Sequence, residues 1–166
     1  YILSPFSFLV LLVKREEVYL MVSVIIALKT LCCSLTCLYF IRKYFKKLPF
    51  LLSVTLAIVY AFSGYGLMMY LITPWIDAMY LLPLVMIGLK KVLDLEKPTL
   101  YIITLSLSLI FSFYVSIMLV IFIFLASFIY LLVYQDDKEL RKKAILSLGI
   151  STIISLLLSS VVVVPA

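Results

Sequence analysis

The sequence predicts an all-α, polytopic transmembrane helical bundle of about six spans, and three observations lead there. Of its 166 residues, 66% are hydrophobic and 13% charged, and the mean hydropathy is +1.29, beyond what a water-soluble core and surface show. Apolar runs longer than the roughly 18 residues that cross about 30 Å of hydrocarbon recur along the whole length, leaving no room for a separate soluble domain. The basic residues fall in short clusters between those runs, as in the cytoplasmic loops of membrane proteins. Topology therefore accounts for the formal charge of +6, and no nucleic-acid partner is expected.

The clusters fix the order of the spans. Arg42, Lys43, Lys46 and Lys47 form the first, Lys90, Lys91 and Lys97 the second, and Lys138, Arg141, Lys142 and Lys143 the third. Short loops rich in Lys and Arg stay in the cytoplasm, so the chain must go out and come back between each pair. Residues 1–17 are then an outer segment, in which Lys14 and Arg15 are balanced by Glu16 and Glu17 through exposed pairing. The first span is about 18–41. The second, about 48–67, runs outward to a turn centred on Thr73-Pro74-Trp75, and the third, about 77–93, returns.

Residues 98–134 contain no obvious loop, and one helix over that stretch would be about 55 Å long, too long for a single crossing. Two short spans, about 98–112 and 114–134, are expected, with the turn near Phe111-Ser112-Phe113-Tyr114; one broken helix is the alternative. A sixth span, about 144–164, leads outward again. It carries Ser147, Ser151, Ser155 and Ser159, a stripe suited to close helix packing or, alternatively, to lining a polar path. Tyr1 in place of Met, and an apolar run at the other end, lead us to expect a piece of a longer chain.

Cys32, Cys33 and Cys37 lie within the first span, poorly spaced for a disulfide, and read as buried thiols. With no histidine and no paired Cys motif, neither a metal site nor a cofactor is expected.

Two ionisable residues stand out. Lys29 is about 17 Å into the first span, near mid-membrane, where a charge normally faces protein or a water-filled cavity. It holds a phosphate, pairs with an acid, or snorkels along its own stem. Asp77 is the only acid between Glu17 and Asp94. Only about 20 Å of helix separates it from Lys90, so it is recessed below the outer surface. It binds a polar substrate group, acts as a base, pairs with Lys29, or caps a helix starting at Ile76 or Ala78.

Gly64-Tyr65-Gly66 echoes a potassium-filter triplet, but Phe62-Ser63 precedes it, and a kink or close packing is the better account. Tyr70, Trp75 and Tyr80 outside, with Tyr44, Tyr101 and Tyr134 inside, read as interfacial anchors, Trp75 alternatively as a sugar platform. Lys14 and Arg15 are candidates for holding a lipid phosphate on the outer face.

Three stretches carry a family resemblance: Leu3-Ser4-Pro5-Phe6-Ser7, Tyr60-Ala61-Phe62-Ser63-Gly64-Tyr65, and Trp75-Ile76-Asp77-Ala78-Met79-Tyr80-Leu81-Leu82-Pro83-Leu84, continuing to Gly88-Leu89. With these, the chain resembles the N-terminal membrane region of the bacterial YfhO family over nearly all its length. Ser112-Phe113-Tyr114 stands where that family has Asn-Phe-Tyr, a small departure.

The resemblance implies a GT-C-like fragment of a multi-pass protein in the bacterial plasma membrane. It implies transfer of a sugar from a polyprenyl-phosphate carrier to a cell-wall polymer such as lipoteichoic acid. Membrane lipids, the polyprenyl-phosphate-linked sugar and the polymer acceptor would be its partners. It also implies a main catalytic acid upstream of Tyr1, with Asp77, Trp75, Lys29, Lys14, Arg15 and Tyr114 as substrate-binding candidates here. A transporter or flippase segment for an amphiphilic substrate, and a scaffold in which Lys29 and Asp77 simply pair, are the competing expectations.

Overall fold

The computed structural model describes residues 4–68, 73–135 and 137–163. Among these described residues two 3-10 helices, Pro5–Leu12 and Arg15–Glu17, precede seven α-helices. These are α1 Val18–Tyr44, α2 Phe50–Ala61, α3 Gly64–Met68, α4 Thr73–Leu93, α5 Thr99–Phe111, α6 Phe113–Tyr134 and α7 Lys138–Val163. There is no strand among the described residues.

Among the described residues three helical stretches, Arg15–Tyr44, Phe113–Tyr134 and Lys138–Val162, are long and apolar enough to cross a membrane. In the regions expected to hold the second and fourth spans, α2 and α5 have 12 and 13 residues. At 1.5 Å per residue they are about 18 and 20 Å long, shorter than the hydrocarbon is thick. The chain divides into two units, Tyr1–Pro83 and Leu84–Ala166.

In the first unit, α1 has neither Pro nor Gly and ends on Arg42 and Lys43, whose charge suits a helix C-terminus. Its buried residues recur every fourth position: Ile25, Lys29, Cys33, Cys37 and Ile41. The matching face of α2 is Ser53, Ala57 and Ala61, also four apart and all small, so the two backbones approach closely. Cys37, Ile41 and Ala57 form the centre of that contact, with Leu38, Phe40, Leu48 and Tyr60 around it. The three cysteines are free thiols, Cys33 and Cys37 buried.

The segment expected as one span at 48–67 is interrupted. α2 stops at Ala61, Phe62 and Ser63 leave the helix, and α3 begins at Gly64. Gly66 explains part of this geometry: a Cβ there would lie 2.7 Å from the Ala61 carbonyl oxygen, so only glycine lets the chain fold back so tightly. Thr73, Pro74 and Trp75, expected as a turn, instead open α4, with Pro74 in its first turn where a missing N–H costs nothing. Tyr70, expected as an interfacial anchor, lies outside the described residues.

α4 contains Pro83. Proline has no N–H to offer the carbonyl four residues earlier, here that of Met79. In a membrane such a carbonyl needs a partner from elsewhere in the protein. Tyr60 Oη donates to Met79 O at 2.8 Å, filling the gap from α2.

In the second unit, α5 packs against both α6 and α7. Ser112 (φ −148°, ψ 72°) is the single non-helical residue between α5 and α6. Ser108 and Ser116, four residues on either side of it, hydrogen-bond at 2.7 Å. Eight residues of straight helix would separate them by about 12 Å, so the axis must turn sharply at Ser112.

The serine stripe of α7 forms a contact face with α5: Ser151, Ser155 and Ser159 are buried, Ser155 Oγ reaches Ile102 O at 3.4 Å, and Ser106 Oγ donates to Ser155 O at 3.3 Å. Most Leu, Ile and Phe residues of α6 and α7 are exposed while Ser116, Ser127, Ser151, Ser155 and Ser159 are buried, the reverse of a soluble protein.

Tyr101 and Tyr80, expected as interfacial anchors, are buried. Tyr101 fits because Gly88 lacks a side chain beside it, and its hydroxyl hydrogen-bonds Thr152 Oγ1 at 2.9 Å. Both rings fill the protein interior because a polar partner or neighbour awaits each hydroxyl there.

Two stability measurements check this packing, each on the purified full-length protein in detergent. Tyr60→Phe should lower stability by about 1–3 kcal/mol by orphaning the Met79 carbonyl, and adding Pro83→Ala, which restores the helical N–H, should recover most of the loss. An undiminished loss in the double variant would contradict that link. Gly88→Ala would put a Cβ 2.6 Å from Tyr101 backbone atoms. It should cost about 1–3 kcal/mol. Gly149→Ala, with open space around it, should be neutral or slightly stabilising; equal effects at the two glycines would show that Gly88 is not a packing constraint.

Candidate functional site

The densest polar arrangement in the first unit is built on the buried stripe of α1. Lys29 Nζ donates to Asp77 Oδ2 at 2.9 Å and lies 2.8 Å from Oδ1, with side-chain exposures of 1% and 0%. The ammonium straddles the carboxylate: Oδ1 is within ion-pair distance but off the axis that a hydrogen bond needs. Asp77 is the fifth residue of α4, inside the helix, so the capping role open to it on sequence grounds is ruled out. Its carboxylate is directed at α1 instead.

The 3-10 helix Pro5–Leu12 closes the pair from the side. Ser4 is extended (φ −66°, ψ 133°), Pro5 starts the helix with its fixed φ, and Ser7 N bonds back to Ser4 O at 2.8 Å. This places the Phe6 ring with its centroid 5.9 Å from Lys29 Nζ, at cation–π distance. The same ring meets Tyr80 edge-on, 5.9 Å between centroids at 75°. The side chains of Ser4 and Tyr80 are the nearest hydroxyl neighbours of the Asp77 carboxylate. Ser4 Oγ is buried without a hydrogen bond of good geometry.

Electrostatically the pair is neutral. Taking either charge out of water alone costs several kcal/mol, so each partner is what makes the other tolerable at this depth. Removing one leaves an uncompensated charge, a loss of about 3–5 kcal/mol. Chemically, the arrangement joins three segments distant in sequence: the 3-10 helix Pro5–Leu12, the middle of α1 and the start of α4. Among the described residues no three His, Cys, Asp or Glu side chains converge as metal ligands would.

The remaining candidates are placed differently. Trp75 is half-buried in the first turn of α4, two residues before Asp77. Lys14 and Arg15 are exposed where the two 3-10 helices meet, Lys14 as the N-cap of the second. The exposed pairing expected with Glu16 and Glu17 does not form: among the described residues no ion pair joins these four, all of them exposed, where water competes with so weak a contact. Tyr114 is the second residue of α6, 58% exposed, in the second unit.

Reasoning from sequence missed Ser4, Phe6 and Tyr60 as functional neighbours. A signal was present: all three lie in the short stretches that carry the family resemblance, Leu3–Ser7 and Tyr60–Tyr65. Nothing in the sequence says that Phe6 lies over Lys29, because the contact spans residues that share no periodicity.

Apart from Lys29, the residues that build this site lie in the stretches by which the chain resembles a family, and the comparison with known families agrees. The family described as bacterial membrane protein YfhO matches residues 1–166. No curated protein and no solved structure matches the chain. With a match along its full length and three helices able to cross a membrane, the chain belongs to the YfhO family of bacterial membrane proteins.

Proposed function

We propose that this protein is the membrane part of a multi-pass glycosyltransferase of the bacterial plasma membrane, moving a sugar from a polyprenyl-phosphate carrier to a cell-wall polymer such as lipoteichoic acid. The observation that carries the reading is the family match along residues 1–166; the GT-C-like chemistry is what the resemblance to that family implies. In the reaction an acceptor hydroxyl attacks the anomeric carbon, the bond from that carbon to phosphate oxygen breaks, and the hydroxyl proton passes to a base. Polyprenyl phosphate leaves with the negative charge, which cations stabilise.

Within that scheme Lys29 and Asp77 are positioning residues. Their buried pair fixes the Pro5–Leu12 segment and the start of α4, and so sets where Trp75 stands. The exposed Lys14 and Arg15 are suited to the carrier phosphate, and Trp75 to a sugar ring. Tyr114, exposed at the start of α6, is a further substrate contact in this scheme. A second reading, a non-catalytic scaffold, is favoured by one observation: both members of the pair are closed off from any ligand, at 1% and 0% exposure.

Sugar transfer measured in membranes containing the full-length protein separates the two. Lys14→Gln with Arg15→Gln should weaken use of the carrier-linked donor by about 10-fold or more, the scale of losing about 1.4 kcal/mol of phosphate binding, with protein amount unchanged. Lys29→Met should lower both activity and the amount of folded protein, and Lys29→Asp with Asp77→Lys should restore much of each. Absence of transfer by the wild-type protein with any polyprenyl-phosphate sugar would favour the scaffold. Full transfer by Lys29→Met and Asp77→Asn variants would remove the pair from the mechanism.

A further inference from the structure

A second feature lies in the Leu84–Ala166 unit and has no part in the proposed transfer. α6 and α7 both lean on α5, and a groove of about 360 Å³ opens between them. Its walls are Phe124, Phe128 and Leu132 from α6 and Ile145 and Leu148 from α7. Along α6 those residues span about 12 Å, the length of part of an acyl chain. At one end stands Arg141. Its Nη2 donates to Gln135 O at 2.6 Å, which holds the guanidinium at the mouth, while Nε is buried and has no hydrogen-bond partner. Lys138, Lys142 and Lys143 surround the same end of α7, the cytoplasmic end by the charge rule.

An apolar slot with a tethered cation and an unused N–H at one end has the chemistry of an amphiphile: apolar tail, anionic head. We propose that this groove binds an anionic phospholipid of the cytoplasmic leaflet, its phosphate on the Arg141 guanidinium and one acyl chain between α6 and α7. Three features favour a lipid over another helix. The one charged group lies at the mouth rather than midway. The walls offer one small residue, Ser127, and no stripe of them for a helix to pack on, since Phe124, Phe128 and Leu132 are bulky. The charges at this end, Lys138, Arg141, Lys142 and Lys143 against Asp136, Asp137 and Glu139, leave a positive balance of one, which suits an anionic head group.

The test uses purified full-length protein in a zwitterionic detergent, titrated with dioleoyl phosphatidylglycerol or dioleoyl phosphatidylcholine, with bound lipid counted by native mass spectrometry. Wild type should retain phosphatidylglycerol over phosphatidylcholine by about five-fold or more, the scale of one cation against an anionic lipid. Arg141→Gln should abolish the preference. Lys142→Gln, which removes an exposed charge of the same cluster, should leave it. Ile145→Trp, which fills the groove and keeps every charge, should reduce binding of both lipids at this site and decides the matter if the Arg141 variant does not fold. Equal loss in the Arg141 and Lys142 variants, or unchanged binding in Ile145→Trp, would overturn the site. So would a photoreactive group at Leu132 that cross-links to protein and not to lipid.

Discussion

Nothing in the hydrocarbon core of a bilayer hydrogen-bonds to a protein, so each buried charge and each freed carbonyl must be answered from within the chain. Lys29 meets this constraint in its most expensive form, a full charge near the middle of α1. Asp77, 48 residues later, answers it at 2.8–2.9 Å, and the contact determines which face of α1 turns inward. Once Lys29 is inside, residues four apart on either side, Ile25 and Cys33, are inside too, and the small residues of α2 can close on the same stripe. The Phe6 ring lies at cation–π distance from the ammonium, which draws the Pro5–Leu12 helix onto the unit.

The same constraint recurs on a smaller scale. Pro83 frees the Met79 carbonyl and Tyr60 supplies the missing donor. Ser112 interrupts a long apolar run, and Ser108 and Ser116 bond across the bend. Many hydroxyls of α1, α5, α6 and α7 return to carbonyls one turn earlier, as Thr30 does to Ile26 and Ser127 to Ile123. These are polar groups satisfied locally, so that helices can pack through them without water. What faces outward is Leu, Ile, Val and Phe, as lipid requires.

How much was legible beforehand follows from this physics. Hydropathy reads lipid-facing length directly, and so the all-α membrane class was plain, as was the inward serine face of α7, whose period matches the helix. Break points were harder to locate. Pro74 suggested a turn but begins α4, since proline is as suited to a helix's first turn as to a loop. The interruption at Phe62-Ser63 depends on Gly66 approaching the Ala61 carbonyl, a contact that no local pattern reveals. Tyr80 and Tyr101 looked like anchors because aromatic residues near span ends usually are; here the room made by Gly88 and the partner hydroxyl of Thr152 draw Tyr101 inside. At the site, Lys29 and Asp77 were conspicuous as charges in apolar runs, and their pairing was one of several options. Ser4 and Phe6 were marked only by the family resemblance, because a short 3-10 helix of apolar residues carries no amphipathic signal.

If the pair is what ties the N-terminal 3-10 helix down, backbone protection of residues 4–12 should depend on it. Hydrogen–deuterium exchange of the full-length protein in lipid nanodiscs tests this most directly. Slow exchange of Phe6 to Leu12 is expected in the wild type, fast exchange in Lys29→Met or Asp77→Asn, and slow exchange again when the two charges are swapped. Equal protection of this segment in all four proteins would contradict the account, since the 3-10 helix would then be held by something other than the buried charges.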